Sequence, residues 1–166
     1  MRNIRCAIFD SPPDMNSIAD GIALSTGVGA GRQRLLSAAL TAYLNLTDRW
    51  AGVHYRAASA AFHGSALWSH VPSLWFYSHA DPVSRSEDCA RVVARWREAA
   101  AAGVSAGDSG SGDGDRGGAA EHTEVVWDDT PHIQHFRVDP ERYVAELDAF
   151  LKRTGAMSDI RQPGRV

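Results

Sequence analysis

Lysine is almost absent from this 166-residue chain: Lys152 stands alone among 17 basic residues, the rest being arginine. Those arginines are scattered and never form the Lys/Arg cluster that grips phosphate or anionic lipid. With 20 acidic residues the formal net charge is −3, so no electrostatic pull toward nucleic acid exists. Cysteine is equally scarce. Cys6 and Cys89 lack metal-type spacing, fit a reducing compartment and read as ordinary semi-buried residues. No apolar run reaches the ~18 residues of a spanning helix. Met1–Ala7 is basic, but the apolar stretch after it is too short for a secretory leader. The expectation is therefore a soluble, intracellular chain. Also missing, anywhere before Asp81, is a Gly-x-Ser-x-Gly turn, the sequence sign of a serine exposed on a sharp strand-to-helix bend.

What is present is a set of short apolar runs, each ended by a breaker. Residues 4–9 meet Asp10-Ser-Pro-Pro-Asp14, where consecutive prolines can continue neither a ladder nor a helix. Residues 74–78 (Leu-Trp-Phe-Tyr-Ser) follow Pro72, which suits a strand entry, and lead to His79-Ala-Asp81-Pro82. Residues 123–127 (Thr-Glu-Val-Val-Trp) precede Asp128-Asp-Thr-Pro-His-Ile-Gln-His-Phe-Arg137. These three runs read as buried strands.

The intervening stretches read as helices. A short one is expected at 15–24, ended by Gly27–Gly31. From Arg32 on, Leu35, Leu36, Ala39, Leu40, Tyr43, Leu44 and Trp50 form one stripe, read as a core-covering helix. A membrane-surface helix would need a Lys/Arg-rich polar face, which this one lacks. Ser84 with Glu87 reads as a capping box opening a helix to about Ala101, with Gly103 as its stop. Pro140 opens a last helix, 139–153, with Tyr143, Leu147, Phe150 and Leu151 inward. Residues 103–120 are Gly/Ser/Asp-rich and cannot bury apolar area, so they read as a disordered insertion. Their Asp-Gly alternation lacks the closing glutamate of a calcium loop.

The strand, helices, strand, helix, strand, helix order predicts an α/β fold with about three parallel strands (4–9, 74–78, 123–127). One unit is expected over residues 1–154, with a helical segment at 15–66 and a loose tail at 155–166.

Acid and imidazole fall just beyond the second and third strands, as Asp81 and as His132 and His135. That placement at strand carboxyl ends is where α/β sheets build sites. An Asp there also serves as a plain turn-former. His132 and His135 beside Asp128 and Asp129 could suggest a metal, but no third ligand is evident, so neither metal nor cofactor is expected. His54, His63, His70, His79 and His122 read as surface or packing residues.

Four segments together resemble the C-terminal half of the transmembrane protein 53 family, a domain of unknown function (829) placed with the α/β-hydrolases. They are Ile8-Phe-Asp-Ser-Pro-Pro13, Trp75-Phe-Tyr-Ser-His-Ala-Asp81, Ser86-Glu-Asp88, and Thr130-Pro-His-Ile-Gln-His-Phe-Arg137 followed by Asp139-Pro-Glu-Arg-Tyr143. The resemblance implies that the three strands are the sixth, seventh and eighth of a hydrolase sheet. It implies Asp81 as triad acid and His132 as triad histidine, with His135 the alternative. A small ester or acyl compound would be the substrate. Everything before the sixth strand, nucleophile included, is missing, and Ser11 precedes two prolines instead of a helix. On this reading the chain is the C-terminal portion of a serine hydrolase and inactive alone. The alternative is a non-enzymatic, membrane-associated or interaction protein. The resemblance places it in the cytoplasm or at the endomembrane or nuclear envelope. An exposed edge at 4–9 invites self-association.

Overall fold

The computed structural model describes residues 4–12, 18–64, 66–106 and 119–157. Its centre is β2 (Ser73–Ser78), in which every residue is buried. β1 (Ala7–Asp10) pairs with one edge of β2 and β3 (His122–Trp127) with the other, both parallel. Residue 73 lies opposite both 7 and 122, so the three strands start level with one another, and β1 stops opposite Phe76, two residues before the others. The three-stranded parallel sheet of an α/β fold is thus as expected. β1 starts at Ala7 instead of residue 4 and takes in Asp10, while β2 and β3 each start one residue earlier than predicted.

The period of two along β2 divides the core into halves. Trp75 and Tyr77 face one side, where they meet Cys89, Val92, Val93 and Trp96. Those four come from α5 (Ser86–Ala106). Phe9 stacks on Trp75 with ring centroids 4.4 Å apart, and Phe62 and Trp68 complete this aromatic cluster. Leu74 and Phe76 face the other side, against Val125, Trp127 and Phe150. Phe150 belongs to α7 (Pro140–Arg153). Asp139 caps α7 by accepting from the Arg142 N–H at 3.1 Å, and Pro140 sits at the first turn, where no amide is needed. Gly155 closes it at φ +67°, with its own N–H on the Lys152 carbonyl and that of Ala156 on Leu151.

The link from β1 to β2 is helical: α1 (Ile18–Ser25), α2 (Ala30–Leu46), a π-helical turn (Asp48–Gly52), α3 (Val53–His63) and α4 (Ala66–Ser69). Three readings need correction here and beyond. α2 has no buried residue; Leu36, Leu40 and Leu44 are half-buried, while Leu35, Tyr43 and Trp50 are exposed. It therefore does not cover the core of this chain. Ser84 is no cap: its hydroxyl donates to the Pro12 carbonyl at 2.8 Å, and α5 begins at Ser86. Gly103 does not stop α5, which runs on to Ala106. A Cβ at Gly103 would lie 2.8 Å from His70 Cε1, so glycine serves close approach there. Most of the predicted insertion (residues 107–118) and of the tail (158–166) lies outside the described residues.

No helix among the described residues is long and apolar enough to cross a membrane.

Candidate active site

The carboxyl ends of all three strands meet at one place. β1 delivers Ser11, whose N–H donates to the Phe76 carbonyl at 2.9 Å. β2 delivers the 79–85 turn with Asp81. β3 delivers Thr130, His132 and, in the four-residue α6 (His135–Val138), His135.

Asp81 is buried, and its side chain is wholly enclosed. Oδ1 accepts from the N–H groups of Val83 (2.9 Å) and Ser84 (3.0 Å), an arrangement that folds the turn around the carboxylate. Oδ2 lies 2.8 Å from His132 Nδ1. Three donors thus orient one buried carboxylate, which compensates for its loss of hydration. The pairing puts the His132 proton on Nδ1. Nε2 makes no hydrogen bond among the described residues, and the side chain is 31% exposed. The ring therefore has a held nitrogen and an available one, as a general base requires.

His135 is different. It is completely buried, with Ser11 Oγ 2.9 Å from Nε2 and Thr130 Oγ1 2.5 Å from Nδ1. Its ring stacks on Trp127 at 4.6 Å and 12°. Burial, which opposes charging, holds its pKa below the ordinary histidine value despite the Asp10 carboxylate 3.7 Å away. Both ring nitrogens are occupied, and burial favours the neutral imidazole. The structure thus brings Asp81 and His132 together and joins His135 to other partners.

Ser11 and Thr130 are the residues that sequence reasoning left without a role. A hydroxyl five residues before a histidine is too common a pattern to single out, and Ser11 lies 124 residues from its imidazole partner. Ser11 beside a histidine invites a nucleophile reading. Against it stand burial (1% exposed) and a hydroxyl already bonded to His135 and to the Ile133 N–H at 3.2 Å. Among the other histidines, His122 is buried against Ser73 Oγ (2.7 Å) and the Ser69 carbonyl (3.3 Å), and burial lowers its pKa. Its place is in the packing. No group of three or more His, Cys, Asp or Glu that could hold a metal ion occurs among the described residues.

No family model and no curated protein matches the chain. Three crystal structures of an esterase from Pyrococcus furiosus do resemble it. One has a TM-score of 0.53 at 17% identity over 92% of this chain, a second 0.52 at 14% over 92%, and a third 0.50 at 16% over 89%. The chain spans 44–46% of the esterase's own length, less than half. At such identity the likeness concerns architecture and not family. The assignment to the transmembrane protein 53 family finds no support in these comparisons. Three parallel strands with flanking helices give this chain an α/β fold, the architecture it shares with part of the esterase.

Proposed function

We propose that this chain is the acid- and histidine-bearing portion of a serine α/β-hydrolase acting on a small ester or acyl compound. Asp81 is the triad acid, His132 the general base, and the serine is supplied from outside the chain. The observation that carries the reading is the buried Asp81 carboxylate 2.8 Å from His132 Nδ1, with the other ring nitrogen left available. In this scheme His132 Nε2 takes the proton of the attacking serine hydroxyl and later returns it to the leaving group. Asp81 fixes the ring and stabilises the imidazolium without itself becoming protonated. In this scheme the nucleophile and the oxyanion donors also come from outside the chain, which alone should perform no turnover.

A longer polypeptide that joins this chain to a preceding strand and nucleophile turn should react with a fluorophosphonate probe. His132→Ala and Asp81→Ala should each abolish that reaction. Stoichiometric labelling of the 166-residue chain by itself would overturn the placement of the serine elsewhere.

A second reading, a non-enzymatic interaction module, is favoured by one specific surface. Leu35, Tyr43, Leu46, Trp50 and Val53 are exposed on α2 and its continuation, and Ile8 is exposed on β1, which among the described residues pairs with β2 alone. Exposed apolar residues of this kind mark a protein contact. The same surface would also receive the remainder of a hydrolase sheet. Failure of the longer polypeptide to label, with its fold intact, decides for the module.

A further inference from the structure

The geometry points to Ser11 as a positioning residue for the His132 imidazole, acting through the backbone of Ile133; the catalytic meaning of that role rests on the reading of Asp81 and His132 just given. Ser11 Oγ accepts the Ile133 N–H at 3.2 Å. That amide belongs to the peptide unit immediately after the His132 Cα. Holding its plane fixes the backbone rotation that aims the His132 side chain at Asp81.

The backbone on both sides of this bond is strained. Ser11 has φ +45° and Ile133 φ +52°, in the left-handed region that glycine favours. For a β-branched residue such a conformation is costly and persists only when its surroundings impose it. Burial cannot impose it here, because Ile133 is 65% exposed. The anchoring must come through the backbone.

Ser11 is itself anchored from two directions. Its N–H is bound to Phe76 of the central strand, and its hydroxyl meets His135 Nε2. A neutral imidazole carries one donor and one acceptor. If Ser11 donates to Nε2, then Nδ1–H donates to Thr130; the reverse arrangement is equally consistent. Either way Ser11 Oγ keeps a lone pair for Ile133. The buried His135 is thus the spacer that sets the Ser11 hydroxyl, and Thr130 sets His135.

The test is nuclear magnetic resonance of the intact 166-residue chain, reading the His132 ring nitrogens. In the native chain the Nδ1–H tautomer should dominate. In Ser11→Ala that population should fall by at least about twofold, toward the minority it has in a free imidazole. Ser11→Gly should do the same; glycine tolerates φ +45°, so this variant separates lost bonding from lost conformation. Val93→Ala, destabilised in the Trp75 and Tyr77 half of the core, away from Trp127 and His135, should leave the His132 signal native, which a general loss of stability would not. The native chain supplies a measurement that needs no variant. The Ile133 amide should exchange with solvent at least about tenfold more slowly than an open loop amide. Native His132 signals in both Ser11 variants, or unprotected exchange at Ile133, would overturn the assignment. None of these readouts requires turnover, so an absence of hydrolase activity leaves the inference standing, and its failure leaves the hydrolase reading intact.

Discussion

Replacing Asp81 by alanine and by asparagine should have very different consequences. Alanine removes an acceptor that holds two backbone N–H groups and the His132 Nδ1–H, at least one of them fully enclosed. A buried donor left unpaired costs about 1–3 kcal/mol. Two orphaned amides and a loosened imidazole should therefore cost about 3–5 kcal/mol. In a chain of this length each kcal/mol lowers Tm by about 2–4 °C, so Asp81→Ala should lose about 6–20 °C. Asparagine can keep its carbonyl on Val83 and Ser84. It loses only the strengthening given by charge, about 1 kcal/mol. Its amide nitrogen, however, now faces His132 Nδ1 as a donor, so the ring must move its proton to Nε2. The variant should be nearly as stable as the parent, with the wrong nitrogen available. Thermal denaturation followed by circular dichroism measures the first effect and ring-nitrogen resonance the second. Equal Tm losses for the two variants, or a native tautomer in Asp81→Asn, would refute the reasoning.

Other expectations concern the core and the protons in it. Burial lowers the pKa of His135 and His122, so below the ordinary value of 6.5 the unfolded chain takes up protons that the folded one refuses. Stability present above pH 6.5 should decline as pH falls through this window, by at most about 2.7 kcal/mol per pH unit for two histidines. Urea unfolding at pH 7.5 and 5.5 checks the sign. Tyr143, pushed up to about 12 by burial and by the Asp10 carboxylate, should resist ionisation at pH values where an ordinary tyrosine near 10 has titrated. Its ultraviolet titration should coincide with unfolding. The Trp127 indole N–H is buried without a partner among the described residues, whereas that of Trp96 donates to the His63 carbonyl at 3.2 Å. Trp127→Phe should therefore be within about 1 kcal/mol of neutral, and Trp96→Phe should cost more, as denaturant midpoints will show.

The parts legible in the sequence are those where a local pattern and its tertiary use coincide. Leu74–Ser78 reads as a strand because an unbroken apolar run lies between Pro72 and Asp81, and burial on both faces calls for that composition. Asp81 and His132 were reachable because residues just past the carboxyl ends of adjacent parallel strands must be neighbours. The stripe on α2 was misread because periodicity reports that a face is apolar, not which partner covers it. Ser84 and Gly103 matched helix-end chemistry yet are used for long-range contacts, with Pro12 and His70, that no local pattern encodes. The Ser11–His135–Thr130 linkage was hidden for the same reason.

That linkage has a consequence for β1 itself. An edge strand of four residues with few ladder bonds is prone to slide along its neighbour. A slip of one residue would turn Ser11 to the opposite face of the sheet and orphan His135 and Ile133 at once. Buried Ser11 and His135 therefore act as a proofreading latch on the strand: wrong alignments are penalised just past its last residue, although β1 is too short to specify its own position.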